Sequence, residues 1–186
     1  MTAPPPSVGW RLPGDPPADA LVERIIRVDH AGEYGAKRIY QGQLAVLGPG
    51  PTGPMVRHMA AQEARHLAAF EKMVAARHVR PTALMPLWHV AGYVLGAATA
   101  ALGPAAAMAC TVAVEEVIDE HYRGQAEALG ESEPALKAAI EEFRAEELEH
   151  RDSALAAGAE GAPAYPALTA AIKAGSRLAI WLSERI

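Results

Sequence analysis

The sequence predicts an all-α protein: a four-helix bundle with a long apolar crossover helix and an additional C-terminal helix. Three observations carry that prediction. The 186 residues are 51% hydrophobic but only 5% aromatic, and their wealth of Ala, Leu and Glu suits closely packed helices better than a sheet. Core-type residues recur at alternating spacings of three and four through several long segments, the period of a helix with one buried stripe. A triplet of metal-ligand residue types occurs twice, as Glu33 with Glu63-Ala64-Arg65-His66 and as Glu115 with Glu147-Leu148-Glu149-His150.

Composition also excludes whole classes of function. A net charge of −5 with no basic stripe gives no electrostatic reason to bind nucleic acid. Cys110 is the only cysteine, which rules out an intrachain disulfide framework, thiolate zinc sites, iron–sulfur clusters and a Cys-x-x-Cys rubredoxin knot. The length fits one domain with a real core. Residues 1–17 form a Pro-rich tail, and 18–186 form the domain.

The tail, Met1–Pro17, holds six prolines and no apolar core region. It reads as a mobile segment, neither a secretory signal nor an amphipathic transit helix. Asp19 can cap a first helix over Ala20–Leu47, which Gly48-Pro49-Gly50-Pro51 ends. The loop Gly48–Gly53 spells G-x-G-x-x-G, but it joins two helices where a nucleotide site needs a strand before it. A second helix, Pro54–His78, starts on a proline preset for the first turn. Met59, Glu63, His66, Phe70, Met73 and Arg77 form its inward seam.

From Pro81 to Val114 no residue is formally charged. The run is long enough to suggest a membrane span, but one crossing would put the two triplets on opposite sides of the bilayer. Pro86, Gly92, Gly96, Gly103 and Pro104 also interrupt it. It reads as a crossover helix, Leu84–Leu102, either buried against the bundle or laid along a membrane interface through Leu84, Met85, Leu87, Trp88 and Tyr93. A fourth helix, Ala105–Leu129, has Glu115 on its seam with Glu116 turned away, and Gly130 closes it. The fifth, Pro134–Ala157, has Glu147 and His150 on its seam, with Glu141, Glu142, Glu146 and Glu149 outside it and solvated. The last, Tyr165–Ile186, is apolar along one side, and Trp181 anchors it to the bundle or to lipid.

Two Glu-x-x-His matches alone are weak evidence in a chain with seven His and 17 Glu. Position makes them strong. All six residues fall on core seams, where ionisable side chains are almost never left unpaired. At about 1.5 Å per residue, each helix puts its ligand roughly 20 Å from its connecting turn, so the four helices meet in one layer. Four buried carboxylates would repel and destabilise the fold without counterions. Two divalent cations bring +4 against −4, and two neutral imidazoles complete the coordination. One Glu from each of two helices and Glu-x-x-His from each of the other two is the ligand set of a ferritin-like di-iron or di-manganese carboxylate site. Interhelical salt bridges are the alternative, and no Lys or Arg shares the layer on the seams to make them. Asp29, one turn before Glu33, could orient a liganding His through its second nitrogen.

At this point the residues themselves become familiar. Arg24-Ile25-Ile26-Arg27-Val28-Asp29-His30-Ala31-Gly32-Glu33-Tyr34-Gly35-Ala36, Arg80-Pro81-Thr82 with Leu84-Met85-Pro86-Leu87-Trp88, Cys110-Thr111-Val112-Ala113-Val114-Glu115-Glu116 and Glu146-Glu147-Leu148-Glu149-His150 closely resemble the demethoxyubiquinone hydroxylase family. The similarity runs from Leu21 to Ile186. The resemblance implies a di-iron monooxygenase, peripheral to the cytoplasmic face of a bacterial-type cell membrane. Its implied reaction uses O₂ to hydroxylate the ring of a demethoxylated polyprenyl benzoquinol in ubiquinone biosynthesis, with NADH as the ultimate electron donor. It implies two iron ions on Glu33, Glu63, His66, Glu115, Glu147 and His150, and a part in proton or electron handling for His121 and Tyr122. Other ubiquinone-biosynthesis proteins, a lipid-binding one among them, are the partners it implies. The crossover helix, with the last helix, would then border a hydrophobic channel to the metals. The competing functions are a ferritin-like ferroxidase or peroxidase, and a non-catalytic lipid-binding scaffold.

Overall fold

In the computed structural model the described residues are 18–186. The tail Met1–Pro17 and the cap expected from the Asp19 side chain lie outside them. Six helices follow in order: α1 (Ala18–Leu47), α2 (Gly53–Arg77), α3 (Met85–Ala101), α4 (Pro104–Leu129), α5 (Pro134–Ala156) and α6 (Tyr165–Ser183), with a 3-10 turn at Ala159–Gly161 before the last. Their ends fall within three residues of the expected ones, and no strand occurs among the described residues. Prolines explain much of that agreement. Each of α2 to α6 has a proline in its first two positions, where its fixed φ suits the helix and its missing N–H removes nothing. Gly130 ends α4 with φ +55°, a conformation available to glycine at little cost.

α1 with α2 and α4 with α5 form two hairpins, each packed along its length. Apolar residues fill the two ends of the bundle and leave its middle polar. At one end Ile25 and Ile26 of α1 meet Phe70, Tyr122, Leu129, Ile140 and Phe143. At the other Tyr40 meets Val56, Met59, Met108, Val112 and Ala154. Along each helix the sequence passes from one cluster to the other through the Glu or Glu-x-x-His that separates them. The polar layer is therefore held between two dry plugs, which exclude water from it.

α3 lies outside the four-helix core, packed along α1 more extensively than any other pair of helices. Glycines permit the approach. A Cβ on Gly92 would sit 2.8 Å from the Gly35 carbonyl oxygen, one on Gly42 2.7 Å from the Ala97 nitrogen, and one on Gly96 would overlap the Ile39 carbonyl. The glycines that interrupt the uncharged run are thus its contact face. The opposite face of α3 is bare, with Leu87, Val90 and Val94 each more than half exposed. α6 covers α4, tied to it by Lys173–Glu116 and by Arg177–Glu120 at 2.9 Å. Its own outer face exposes Leu178 and Trp181, and Trp181 stacks with Arg185 instead of entering the bundle. Trp88 Nε1 donates to Ser183 Oγ at 3.0 Å, joining the start of α3 to the end of α6. Among the described residues, no helix is long and apolar enough to cross a membrane.

Candidate metal centre

Glu33, Glu63, His66, Glu115, Glu147 and His150 all converge in the mid-bundle layer, each at most 3% exposed. Two overlapping groups of ligand atoms result. Glu33, Glu63, His66 and Glu147 form one and Glu63, Glu115, Glu147 and His150 the other, with the atoms of each group within 4.8 Å of one another. Glu63 and Glu147 belong to both. His66 Nδ1 lies 3.0 Å from Glu147 Oε1 and 3.5 Å from Glu33 Oε2. His150 Nδ1 lies 2.9 Å from Glu147 Oε2 and 3.4 Å from Glu63 Oε1.

Such a layer cannot satisfy itself. Glu33 Oε2, Glu63 Oε2, Glu115 Oε2, Glu147 Oε1 and His66 Nδ1 are buried with no hydrogen-bond partner, although buried polar atoms are ordinarily paired. Oxygen and imidazole atoms at this spacing are the donor set of a hard to borderline divalent cation. The cluster can therefore hold metal. Tyr40 donates its hydroxyl to Glu115 Oε1 at 2.9 Å, and Tyr122 donates to Glu33 Oε1.

Burial first, then the Glu147 carboxylate, pushes Glu63 and Glu115 well above the usual carboxylate range. Burial likewise raises Glu33. At His66 burial acts downward, but the Glu147 and Glu33 carboxylates facing its Nδ1 outweigh it and raise the imidazole to about 10. At Glu147 burial acts upward, but His150 and His66 hold it at about 2. Without metal, then, protons supply the missing positive charge. Glu63 and Glu115 contribute stability that is complete below the ordinary carboxylate range and lost as pH rises through their raised values. His66 contributes stability that is complete below its ordinary 6.5 and lost as pH rises through about 10. Glu147 acts oppositely, losing its contribution only as pH falls towards about 2. A bound cation displaces those protons. The gain in Tm on adding metal to chelator-stripped protein should therefore grow from about pH 5.5 to pH 9. A gain that stays flat or shrinks in thermal melts would contradict this account of the layer.

The smaller expectations met mixed outcomes. Tyr122 sits in the layer, its hydroxyl on Glu33 Oε1. His121 lies at its edge, with Nε2 3.5 Å from Asp29 Oδ1. Asp29 does not orient a liganding histidine. It accepts from Gln125 Nε2 at 2.7 Å, while the second nitrogens of His66 and His150 turn to Glu146 Oε2 at 2.9 Å and Gln62 Oε1 at 3.0 Å. Glu146 is thus not a solvated residue, since its side chain is only 20% exposed. Each Glu-x-x-His is immediately preceded by a hydrogen-bonding side chain, Gln62 in one copy and Glu146 in the other. Tyr40 was also missed, being one more aromatic on an apolar seam.

A cavity of about 250 Å³ opens between α1 and α4, lined by Arg24, Ile25 and Val28 of α1, Glu120, His121 and Gln125 of α4, and Glu184 after α6, and by none of the six layer residues. Its lining includes no residue of α3, so it is not the channel expected along the crossover helix.

Residues 20–183 match the family described as "Ubiquinone biosynthesis protein COQ7". The chain is 62% identical over 177 residues to the 3-demethoxyubiquinol 3-hydroxylase of Rhodospirillum rubrum, covering 95% of this chain and 84% of that protein. It is 56% identical over 171 residues to the human mitochondrial NADPH-dependent 3-demethoxyubiquinone 3-hydroxylase, covering 90% and 79%. It is 42% identical over 184 residues to the mitochondrial 5-demethoxyubiquinone hydroxylase of Saccharomyces cerevisiae, covering 90% and 79%. With its helices and its doubled Glu and Glu-x-x-His ligand types in one buried layer, the chain belongs to the COQ7 family of ferritin-like helical bundles.

Proposed function

We propose that this chain is a di-iron monooxygenase that hydroxylates the ring of demethoxyubiquinol (2-polyprenyl-3-methyl-6-methoxy-1,4-benzoquinol) with O₂ in ubiquinone biosynthesis. The observation that carries the reading is the pair of overlapping four-residue groups with unpaired, buried ligand atoms, in a chain so similar to a named hydroxylase of that quinol. Glu33 and His66 would hold one iron and Glu115 and His150 the other, with Glu63 and Glu147 within reach of both. Bound iron supplies the activation of O₂. The domain that does this is 18–186.

The protein's part is to orient, to exclude water and to move protons. The hydroxyls of Tyr40 and Tyr122 fix Glu115 and Glu33 from outside the layer. The cavity between α1 and α4 fits a single substituted ring, and Ile25 and Val28 give it an apolar wall. His121 on its rim can take a quinol proton, with Asp29 behind it to stabilise the imidazolium. Glu184, just after α6, is among the cavity's lining residues, and α6 exposes Trp181 and Leu178 on its outer face. A polyprenyl tail leaving there would enter a bilayer on which the bare faces of α3 and α6 rest. This makes the protein peripheral, at the cytoplasmic face of a bacterial cell membrane, within reach of other ubiquinone-biosynthesis proteins. Reducing equivalents come from a pyridine nucleotide. NADH is the donor expected here, whereas the names of the mammalian relatives specify NADPH.

Purified protein loaded with Fe(II), given demethoxyubiquinol, O₂ and a reductant, should release the ring-hydroxylated quinol by mass spectrometry. Mineral formation with the quinol left unchanged would instead identify a ferroxidase. For the membrane reading, Leu178→Asp with Trp181→Asp should abolish co-sedimentation with anionic vesicles while the helical circular dichroism stays intact. Unchanged co-sedimentation would exclude this face.

A further inference from the structure

The two copies of the ligand motif brace each other. Gln62 stands just before Glu63, yet its Oε1 accepts from His150 Nε2 of the other copy at 3.0 Å. Glu146 stands just before Glu147, and its Oε2 accepts from His66 Nε2 at 2.9 Å. Gln62 Nε2 also donates to Glu146 Oε2 at 3.1 Å, so one polar bridge ties α2 to α5. These helices approach each other at few backbone positions, and side chains span the gap. With each Nε2–H donated outward, each Nδ1 is left to face the carboxylates.

The two halves of the layer are otherwise matched. Each group has three carboxylates and one imidazole, two of those carboxylates being common to both. Each unshared Glu accepts from one tyrosine hydroxyl. The outer partner of the imidazole breaks the match, being a carboxylate for His66 and a neutral amide for His150. A charge-assisted hydrogen bond is roughly twice as strong as a neutral one, and a carboxylate acceptor makes the imidazole a better electron donor to its metal. Arg65 also bonds Glu146 Oε2 at 2.8 Å, but its side chain is 57% exposed, where solvent screens its charge.

We infer that Gln62 and Glu146 are positioning residues that aim the two histidines at the metals and make the two metal positions unequal. The position beside His66 binds its cation first and more tightly. The inference rests on the di-metal reading above.

Anaerobic titration of metal-free protein with ⁵⁷Fe(II) tests it, reading the affinity of the first equivalent and the Mössbauer spectrum at half loading. Wild type should show one quadrupole doublet at half loading. Glu146→Gln keeps a hydrogen-bond acceptor but loses the charge. It should weaken the first step about tenfold, the lower end for such outer partners, and show two doublets at half loading. The double exchange Gln62→Glu with Glu146→Gln conserves charge and should bring up the other doublet first. Unchanged affinity in Glu146→Gln, or an unchanged first doublet in the double exchange, overturns the inference and leaves the di-metal reading standing. Wild type that binds no iron overturns the di-metal reading itself. If Glu146→Gln fails to fold by circular dichroism, the double exchange decides, because it retains both charge and bridge.

Discussion

Glu147→Ala should lose most of its bound metal and all measurable ring hydroxylation. No other residue in the layer is asked to do as much. Glu147 belongs to both ligand groups, and its two oxygens lie 3.0 Å from His66 Nδ1 and 2.9 Å from His150 Nδ1. Truncation removes a ligand from both metals at once. It also leaves the buried His66 imidazole without its carboxylate partner, which costs stability on the order of several kcal/mol. The fitting control lies two residues along the same helix. Glu149 is exposed, so Glu149→Ala should keep metal content, activity and Tm. The checks are elemental analysis of purified protein and quinol hydroxylation by mass spectrometry. Full activity in Glu147→Ala would sink the ligand assignment.

Gly96→Ala should be the most damaging single-methyl change in the chain. The added Cβ would overlap the Ile39 carbonyl of α1, and backbone cannot step aside as a flexible side chain can. Overpacking of this kind costs about 1–3 kcal/mol, or a Tm lower by roughly 2–12 °C at this chain length. Gly124 sits in α4 with nothing within 4 Å of such a Cβ. Gly124→Ala should therefore leave the Tm unchanged or raise it, because alanine favours a helix by about 1 kcal/mol over glycine. Equal melting temperatures for the two variants would show that α3 does not depend on close approach to α1. If Gly96→Ala folds with α3 displaced, vesicle binding should weaken with it.

The bundle was legible because its signals are local. Prolines at five helix starts and Gly130 at an end punctuate the chain, and the seam of three and four places each helix face. The six ligand types were legible for the same reason, since spacing along a helix fixes both face and height. Local pattern could not reveal what depends on a partner helix. Glu146 lies off the seam of α5 and reads as a surface residue until α2 brings His66 against it. Asp29 lies one turn from Glu33 and reads as an orienting group until α4 supplies Gln125 and His121. The uncharged run is similar. Its composition allows burial or an interface, and the structure buries one face on α1 and leaves the other exposed.

By itself, then, the sequence determined an all-helical chain with two matched sets of carboxylate and imidazole ligands at one level. That follows from helical periodicity, a property of neighbouring residues. Tertiary structure alone decided which carboxylates are shared, which nitrogen of each histidine faces the layer, and that a carboxylate braces one histidine and an amide the other. Those features exist only where side chains from different helices meet, and no spacing along a single helix encodes them.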